Sequence, residues 1–368
     1  MTAVISGIGQ TEFSKNSGRS SLQLAAEASR AAIADAGLTP ADIDGGVTFA
    51  MDTNDELAVI RCLGIPSLRF TARTRGGGGG ACATVQLAAA AVLSGQARHV
   101  LIWRAFNERS RRRFGQPNPR PPDAANDWYL PFGLDTPAKV YGLTFQRYMH
   151  RYGLTNADFG LYTVAARAYA ATNPNAWFYK RPITLADHQA SRWIVEPLLR
   201  LLDCCQESDG GVALVVSAGG DGVQISAAAQ AHLVGGDEMY SYYHDDLTTF
   251  PEVSALAREL WEQSGVGPAD IDVAMIYENF SPIVFLQLEG LGFCGPGEAR
   301  DFIADGHIGP GGSLPVNTNG GLLGEGYIHG MNNILEAVRQ LRGTSANQVR
   351  DAETVLVSAG RSGLILTT

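Results

Sequence analysis

One short phrase occurs twice in this chain, and it narrows the folds open to it. Leu38-Thr-Pro-Ala-Asp-Ile-Asp44 returns as Val266-Gly-Pro-Ala-Asp-Ile-Asp272. Its surroundings return with it. Ahead of the first copy, Leu22, Leu24, Ala25, Ala28, Ala31, Ala32 and Ile33 fall at helical spacing; ahead of the second, Val253, Leu256, Leu260 and Trp261 do the same. Behind the copies, residues 46–50 and 273–277 read as buried strands. Glycine-rich turns at 76–80 and 320–326 then open apolar helices at 81–93 and 331–341, and strands at 99–103 and 354–358 close the two units. A repeat of this kind is one supersecondary unit used twice. Strands alternating with helices predict an α/β fold with mainly parallel pairing.

The halves divide as residues 1–220 and 221–368. The first half closes on Asp203-Cys-Cys-Gln-Glu-Ser-Asp-Gly-Gly-Val-Ala-Leu-Val-Val216, a loop feeding a buried strand. It also carries an insertion at about 105–200, rich in aromatics and prolines: Phe114, Pro117, Pro119, Pro121, Pro122, Trp128, Tyr129, Phe132, Tyr141 and Phe145. A long irregular loop is expected there, and such loops carry function or partner contacts. Each glycine-rich turn at a helix start offers backbone N–H groups to negative charge. Two such turns facing one cleft would make an oxyanion site.

Charge removes one class of function. The net charge of −9 and pI near 5.3 do not suit a nucleic-acid binder. The one basic cluster, Arg109, Arg111, Arg112 and Arg113, reads as a solvated loop or as a seat for phosphates such as those of coenzyme A. No apolar run reaches the roughly 20 residues of a membrane helix, so no membrane span is expected, and the N-terminus lacks the pattern of a signal peptide. Cys62, Cys82, Cys204, Cys205 and Cys294 form no Cys-x-x-Cys pair, so neither a disulfide framework nor a metal site is expected, and a reducing cytoplasm is the expected home. Adjacent Cys204 and Cys205 read as packed thiols.

Four segments in this order, Ile5-Ser-Gly-Ile-Gly-Gln-Thr-Glu-Phe13, Asp203-Cys-Cys-Gln-Glu-Ser-Asp-Gly210, Tyr277-Glu-Asn-Phe280 and Gly320-Gly-Leu-Leu-Gly-Glu-Gly326, resemble the thiolase superfamily along essentially the whole chain. The likeness is strongest to its lipid-transfer-protein (sterol carrier protein-like) type. It implies a thiolase-like fold: two duplicated βαβαβ-type halves forming a layered α/β/α/β/α core with a loop-rich insertion. The chemical positions depart from the thiolase pattern. The nucleophilic cysteine's place, counted back from Ser94-Gly95, falls at Gly78. The asparagine of the Asn-Glu-x-Phe loop is Tyr277, with Glu278 and Phe280 kept. The histidine of Gly-His-Pro is Tyr327. The second cysteine's place is Ser358-Ala359-Gly360.

Tyrosine at both second-half positions resembles the steroid side-chain-degrading retro-aldolases of this superfamily. That resemblance implies cleavage of a β-hydroxyacyl-CoA, plausibly a steroid side-chain thioester, to a ketone and propionyl-CoA, with no cysteine nucleophile. Such chemistry needs a base for the β-hydroxyl, donors for the enolate oxygen and an acid for the α-carbon. A phenol of reference pKa about 10 must be tuned or coupled to serve. Tyr327, near a helix N-terminus, is assigned the lower pKa and the base role. Tyr277 is assigned the acid or enolate-donor role, although the two are interchangeable on sequence. His329 is a third candidate, as a relay or as a packed histidine. Gly78, Glu278, Asn279, Gly320, Gly321, Gly326 and Gly360 are the candidate substrate-binding positions. No cofactor is expected beyond the coenzyme A of the substrate. The resemblance further implies a homodimer and a small OB-fold acyl-CoA-associated partner. Two other readings stay open: a non-catalytic acyl-CoA or lipid binder, and a true thiolase using Cys82.

Overall fold

A computed structural model describes residues 2–111, 113–117, 129–234 and 244–368. Arg112, Pro119, Pro121, Pro122 and Trp128 of the sequence reading lie outside the described residues. In chain order the elements are β1 (Ala3–Gln10), α1 (Ser21–Asp35), β2 (Gly45–Phe49), α2 (Glu56–Leu63), β3 (Phe70–Thr74), α3 (Ala81–Leu93), β4 (His99–Asn107), α4 (Pro137–Tyr152), α5 (Asn156–Thr172), α6 (Leu185–Ala190), β5 (Trp193–Val195), β6 (Leu199–Arg200) and β7 (Asp209–Ala218). They continue with β8 (Val223–Gln230), α7 (Pro251–Ser264), β9 (Val273–Ile276), α8 (Pro282–Gly290), α9 (Ala299–Ala304), α10 (Gly321–Gly324), α11 (Met331–Leu341), β10 (Thr354–Ser358) and β11 (Ser362–Thr367).

The duplication is visible in the sheet. Its strand order is β3-β2-β4-β7-β1-β8-β11-β10-β9. Reading inward from one edge, β2·β4 is parallel and β4·β7 and β7·β1 are antiparallel. Reading inward from the other, β9·β10 is parallel and β10·β11 and β11·β8 are antiparallel. The halves meet where β1 pairs β8 through Val4↔Gln224 and Ile5↔Val223. Mainly parallel pairing was expected, and here the structure differs. Each half ends on a returning strand, and the short turn at 359–361 between β10 and β11 permits only an antiparallel pair.

Side-chain alternation explains the layers. On β4, Val100 and Ile102 face inward while Leu101 and Trp103 face outward. Helices α1 and α2 cover that outer face. Helices α4, α5, α7 and α8 cover the outer face of the second half, against Ala274, Ile276, Leu356 and Ile365. Between the inner faces lie α3 and α11. Helix α3 is apolar on every side, as a helix enclosed in a core must be. The α/β/α/β/α stack follows. No helix among the described residues is long and apolar enough to cross a membrane.

The insertion is more ordered than its prolines suggested. Pro137 sits at the first turn of α4, where a missing N–H costs nothing. Tyr141, Phe145 and Tyr148 then recur at helical spacing and bury against the second half. Helix α4 ends at Gly153 in the left-handed region (φ 68°), and α5 follows almost at once. About half of the expected long loop, where it is described, is therefore helical, because its aromatics form a buried helix face.

Candidate active site

Strands β9 and β10 run parallel, so their carboxyl ends deliver two loops to the same place. Tyr277 directly follows β9, and its backbone N–H donates to the Ser358 carbonyl at the end of β10 (2.8 Å). Gln287, the lone amide in the apolar helix α8, locks this junction. Its Nε2 donates to the Tyr277 carbonyl (2.7 Å) and its Oε1 accepts from Ser358 Oγ (2.6 Å). The glycine turn before α3 approaches from the other half. Together Gly76–Gly80, Tyr277, Gln287, Ala359, Gly360 and Arg361 line a cavity of about 290 Å³.

The phenol of Tyr277 occupies the space above Gly78. A β-carbon added at Gly78 would lie 2.0 Å from Tyr277 Cε2 and 2.4 Å from its hydroxyl oxygen. No side chain, and so no thiol, fits at position 78 while this tyrosine holds its place. Its hydroxyl is 2.9 Å from that of Tyr327. Both residues are buried, at 6% and 5% exposure. Burial pushes both phenols well above their ordinary pKa of 10, with Cys205 and Glu108 adding to the effect. Tyr327 was expected to hold the lower pKa of the pair through the helix N-terminus; burial raises both phenols, and no lowering by a helix end is seen at Tyr327. Tyr327 stands four residues before α11, its hydroxyl points at Tyr277, and burial outweighs any distant dipole.

A segment of the first half tethers both tyrosine loops. Cys205 N–H donates to Asn279 O (2.9 Å), and Tyr327 N–H donates to Ser208 Oγ (3.2 Å). Gln206 N–H donates to Leu322 O (2.8 Å). The segment is anchored by buried Asp203, whose carboxylate holds His188 (2.8 Å), Ser281 (2.6 Å) and Asn156 (2.8 Å). The motif Asp203–Gly210 thus braces the two tyrosine loops.

His329 packs edge-on to Tyr327, with ring centroids 5.2 Å apart, but hydrogen-bonds to neither tyrosine. Its Nδ1 accepts from Arg104 Nε (3.1 Å), and Arg104 Nη1 pairs with Asp52 (3.0 Å). All three are buried. Burial, then the Arg104 charge, holds the imidazole well below its ordinary pKa, so it is neutral.

The other candidates separate. Gly78 and Gly360 line the cavity. Gly320, Gly321 and Gly326 do not. Added β-carbons there would strike Ala170 (2.5 Å), Glu278 (1.9 Å) and Phe13 (2.7 Å), so these glycines allow close packing behind the site. The second glycine turn therefore does not face the cleft with the first. Glu278 is fully buried, and its Oε1 accepts from Leu322 N–H (2.6 Å) at the start of α10; burial pushes its carboxyl up to about 8. Asn279 is buried and acts through its backbone. Cys82 lies inside α3, its thiol donating to Val357 O (3.7 Å) and pushed far up by burial, away from the cavity. Of the basic cluster, Arg113 pairs with Glu207 (2.6 Å), while Arg109 and Arg111 are exposed. Sequence reasoning passed over Arg104 and Gln287. Each had a signal: Arg104 is the one Arg, Lys, Asp or Glu of β4, and Gln287 is the one amide of the mainly apolar α8.

Comparison with known proteins bears on this site. Residues 235–367 match the model of the thiolase C-terminal domain-like family. The chain is 56% identical to the steroid side-chain-cleaving aldolase of Thermomonospora curvata, over 99% of this chain and 97% of that one. It is 55% identical to the 17-hydroxy-3-oxo-4-pregnene-20-carboxyl-CoA lyase of Mycobacterium tuberculosis, over 99% of this chain and 98% of that one. The solved Ltp2-ChsH2(DUF35) aldolase superposes with a TM-score of 0.94 at 55% identity, covering 100% of this chain and 98% of that one.

Proposed function

The chain belongs to the thiolase-like family that includes the steroid side-chain-cleaving aldolases, and on that premise we propose that it is a carbon–carbon lyase acting on an acyl-CoA. It cleaves a β-hydroxyacyl-CoA by retro-aldol reaction. The 17-hydroxy, 20-carboxyl-CoA pattern in one relative's name places a tertiary alcohol β to a thioester, the arrangement this reaction requires. The products are a ketone and propionyl-CoA.

The observation that carries the mechanism is the pair of buried phenols 2.9 Å apart, one of them filling the space over Gly78. Tyr327 takes the β-hydroxyl proton as its own passes to the Tyr277 oxygen, and Tyr277 delivers its proton to the α-carbon. The hydroxyl oxygen's electrons form the ketone, and the electrons of the broken bond become the enolate of the thioester. One proton enters the pair and one leaves, so two phenols protonated at neutral pH suffice. No step requires a thiol, in keeping with the Cys82 thiol being buried in the core and turned to Val357 O.

Arg75 and Arg361 at the cavity are suited to the phosphates of coenzyme A. A DUF35 partner, as in the solved aldolase, suits the small OB-fold protein expected from the sequence. A homodimer through the first half suits edge strand β3. Five free thiols suit a reducing cytoplasm. The test is incubation with the 17-hydroxy steroid thioester and with a β-keto thioester, with and without a DUF35 partner, read by mass spectrometry. The expected result is ketone and propionyl-CoA from the hydroxy substrate alone. Thiol-dependent cleavage of the keto substrate instead would reject the proposal.

A further inference from the structure

The proton relay leaves the enolate oxygen without a donor, and it leaves Arg104 unexplained. A guanidinium in the middle of a strand, 2% exposed, is expensive to bury even with Asp52 beside it. Its Nε is spent on His329, and its face lies over the Phe106 ring at 4.4 Å. His329 is itself held at φ 50°, a left-handed conformation that few side chains adopt and that costs on the order of 1–3 kcal/mol. Two costs converge on one imidazole.

The hydrogen bond fixes that imidazole's tautomer. Arg104 Nε can only donate, so Nδ1 of His329 must be the bare nitrogen and Nε2 must carry the proton. Among the described residues, Nε2–H meets no acceptor. It is 3.7 Å from where a β-carbon on Gly77 would stand, and Gly77 lines the cavity. The neighbouring Gly78 is the residue covered by the Tyr277 phenol. Nε2–H, the glycine turn and the tyrosine pair therefore share one corner.

We infer that His329, positioned by Arg104 and Asp52, donates its Nε2–H to the thioester oxygen as the enolate forms. This inference rests on the aldolase reading and gives His329 a different part from a proton relay. A neutral imidazole whose Nδ1 accepts from a cation is a polarised donor, preset before reaction, which is the condition for an effective oxyanion hole.

The test has two independent arms. Nitrogen-15 NMR of the histidine-labelled protein should show His329 protonated at Nε2 near neutral pH; protonation at Nδ1 would overturn the inference whatever the activity. In kinetics with the 17-hydroxy thioester, His329→Phe should lower kcat about 10²–10³-fold, as removal of an oxyanion donor does elsewhere, with little change in KM. His329→Gln, which keeps an N–H, should recover part of the loss and serves if the phenylalanine variant does not fold. Arg104→Lys keeps the charge beside Asp52 but lacks the Nε–H. It should mix the tautomers in the spectrum and lower kcat. Wild-type rates in the His329 variants would sink the donor role. Failure of the wild-type protein to cleave the thioester both with and without a DUF35 partner would instead reject the aldolase reading, leaving the tautomer result to stand alone.

Discussion

Gly78 and Tyr277 are two halves of one decision. The phenol occupies the volume that any side chain at position 78 would need, so the glycine is a steric requirement of the tyrosine. Gly78→Ala is expected to displace Tyr277, lower thermal stability and abolish cleavage. Adding Tyr277→Ala should restore stability, since it removes the clash, but not activity. Recovery of activity in the double variant, measured alongside its melting temperature, would contradict this coupling. At this scale the sequence was informative where a residue broke a pattern shared with a known family: Tyr277, Tyr327 and Gly78. It was silent on His329's partner, because Arg104 lies far away in the chain and only the fold brings the two together. The helix end expected to lower the pKa of Tyr327 is outweighed by burial, which raises both phenols.

Between residues and whole lie the segments that hold the site. Glu278, next to Tyr277, braces the start of α10 through the Leu322 N–H, and its carboxyl is pushed up to about 8 from an ordinary 4.5. Between those values the folded chain keeps a proton that the unfolded chain has released, so this group's contribution to stability falls as pH rises from about 4.5 to about 8 and is level above. Glu278→Gln keeps the acceptor and removes the titration. Urea unfolding at pH 5 and pH 8 should show a smaller loss of stability in the variant than in the wild type; equal losses would contradict the assignment. The glycine turn at 320–326 shows why element-level reading partly failed. Its motif was recognised, but glycines that admit Ala170, Glu278 and Phe13 look in sequence like glycines that admit a ligand. The insertion failed for a similar reason: prolines suggested loop, while tyrosine and phenylalanine at helical spacing supplied a buried face.

The molecule as a whole is one repeated unit closed upon itself. The halves share the central core around α3 and α11 and a continuous sheet through β1 and β8, so the innermost layer is complete only when both are present. Scanning calorimetry should give a single cooperative transition, and separately expressed pieces 1–220 and 221–368 should not fold; two resolved transitions would contradict the shared core. Duplication, strand sites and helix sites were legible because they rest on local periodicity. The antiparallel returns were not, since pairing direction depends on where the chain comes back. What the fold achieves is to bring two loops of one half and a glycine turn of the other together around two phenols. The measurement that bears most directly on this account is cleavage of the 17-hydroxy thioester by Tyr277→Phe and Tyr327→Phe, with circular dichroism as the check on folding. Each variant should keep the wild-type spectrum and lose at least about 10²-fold in kcat, while iodoacetamide leaves the wild-type rate unchanged. Near-wild-type cleavage by both variants, or inactivation of the wild type through a thiol, would contradict it.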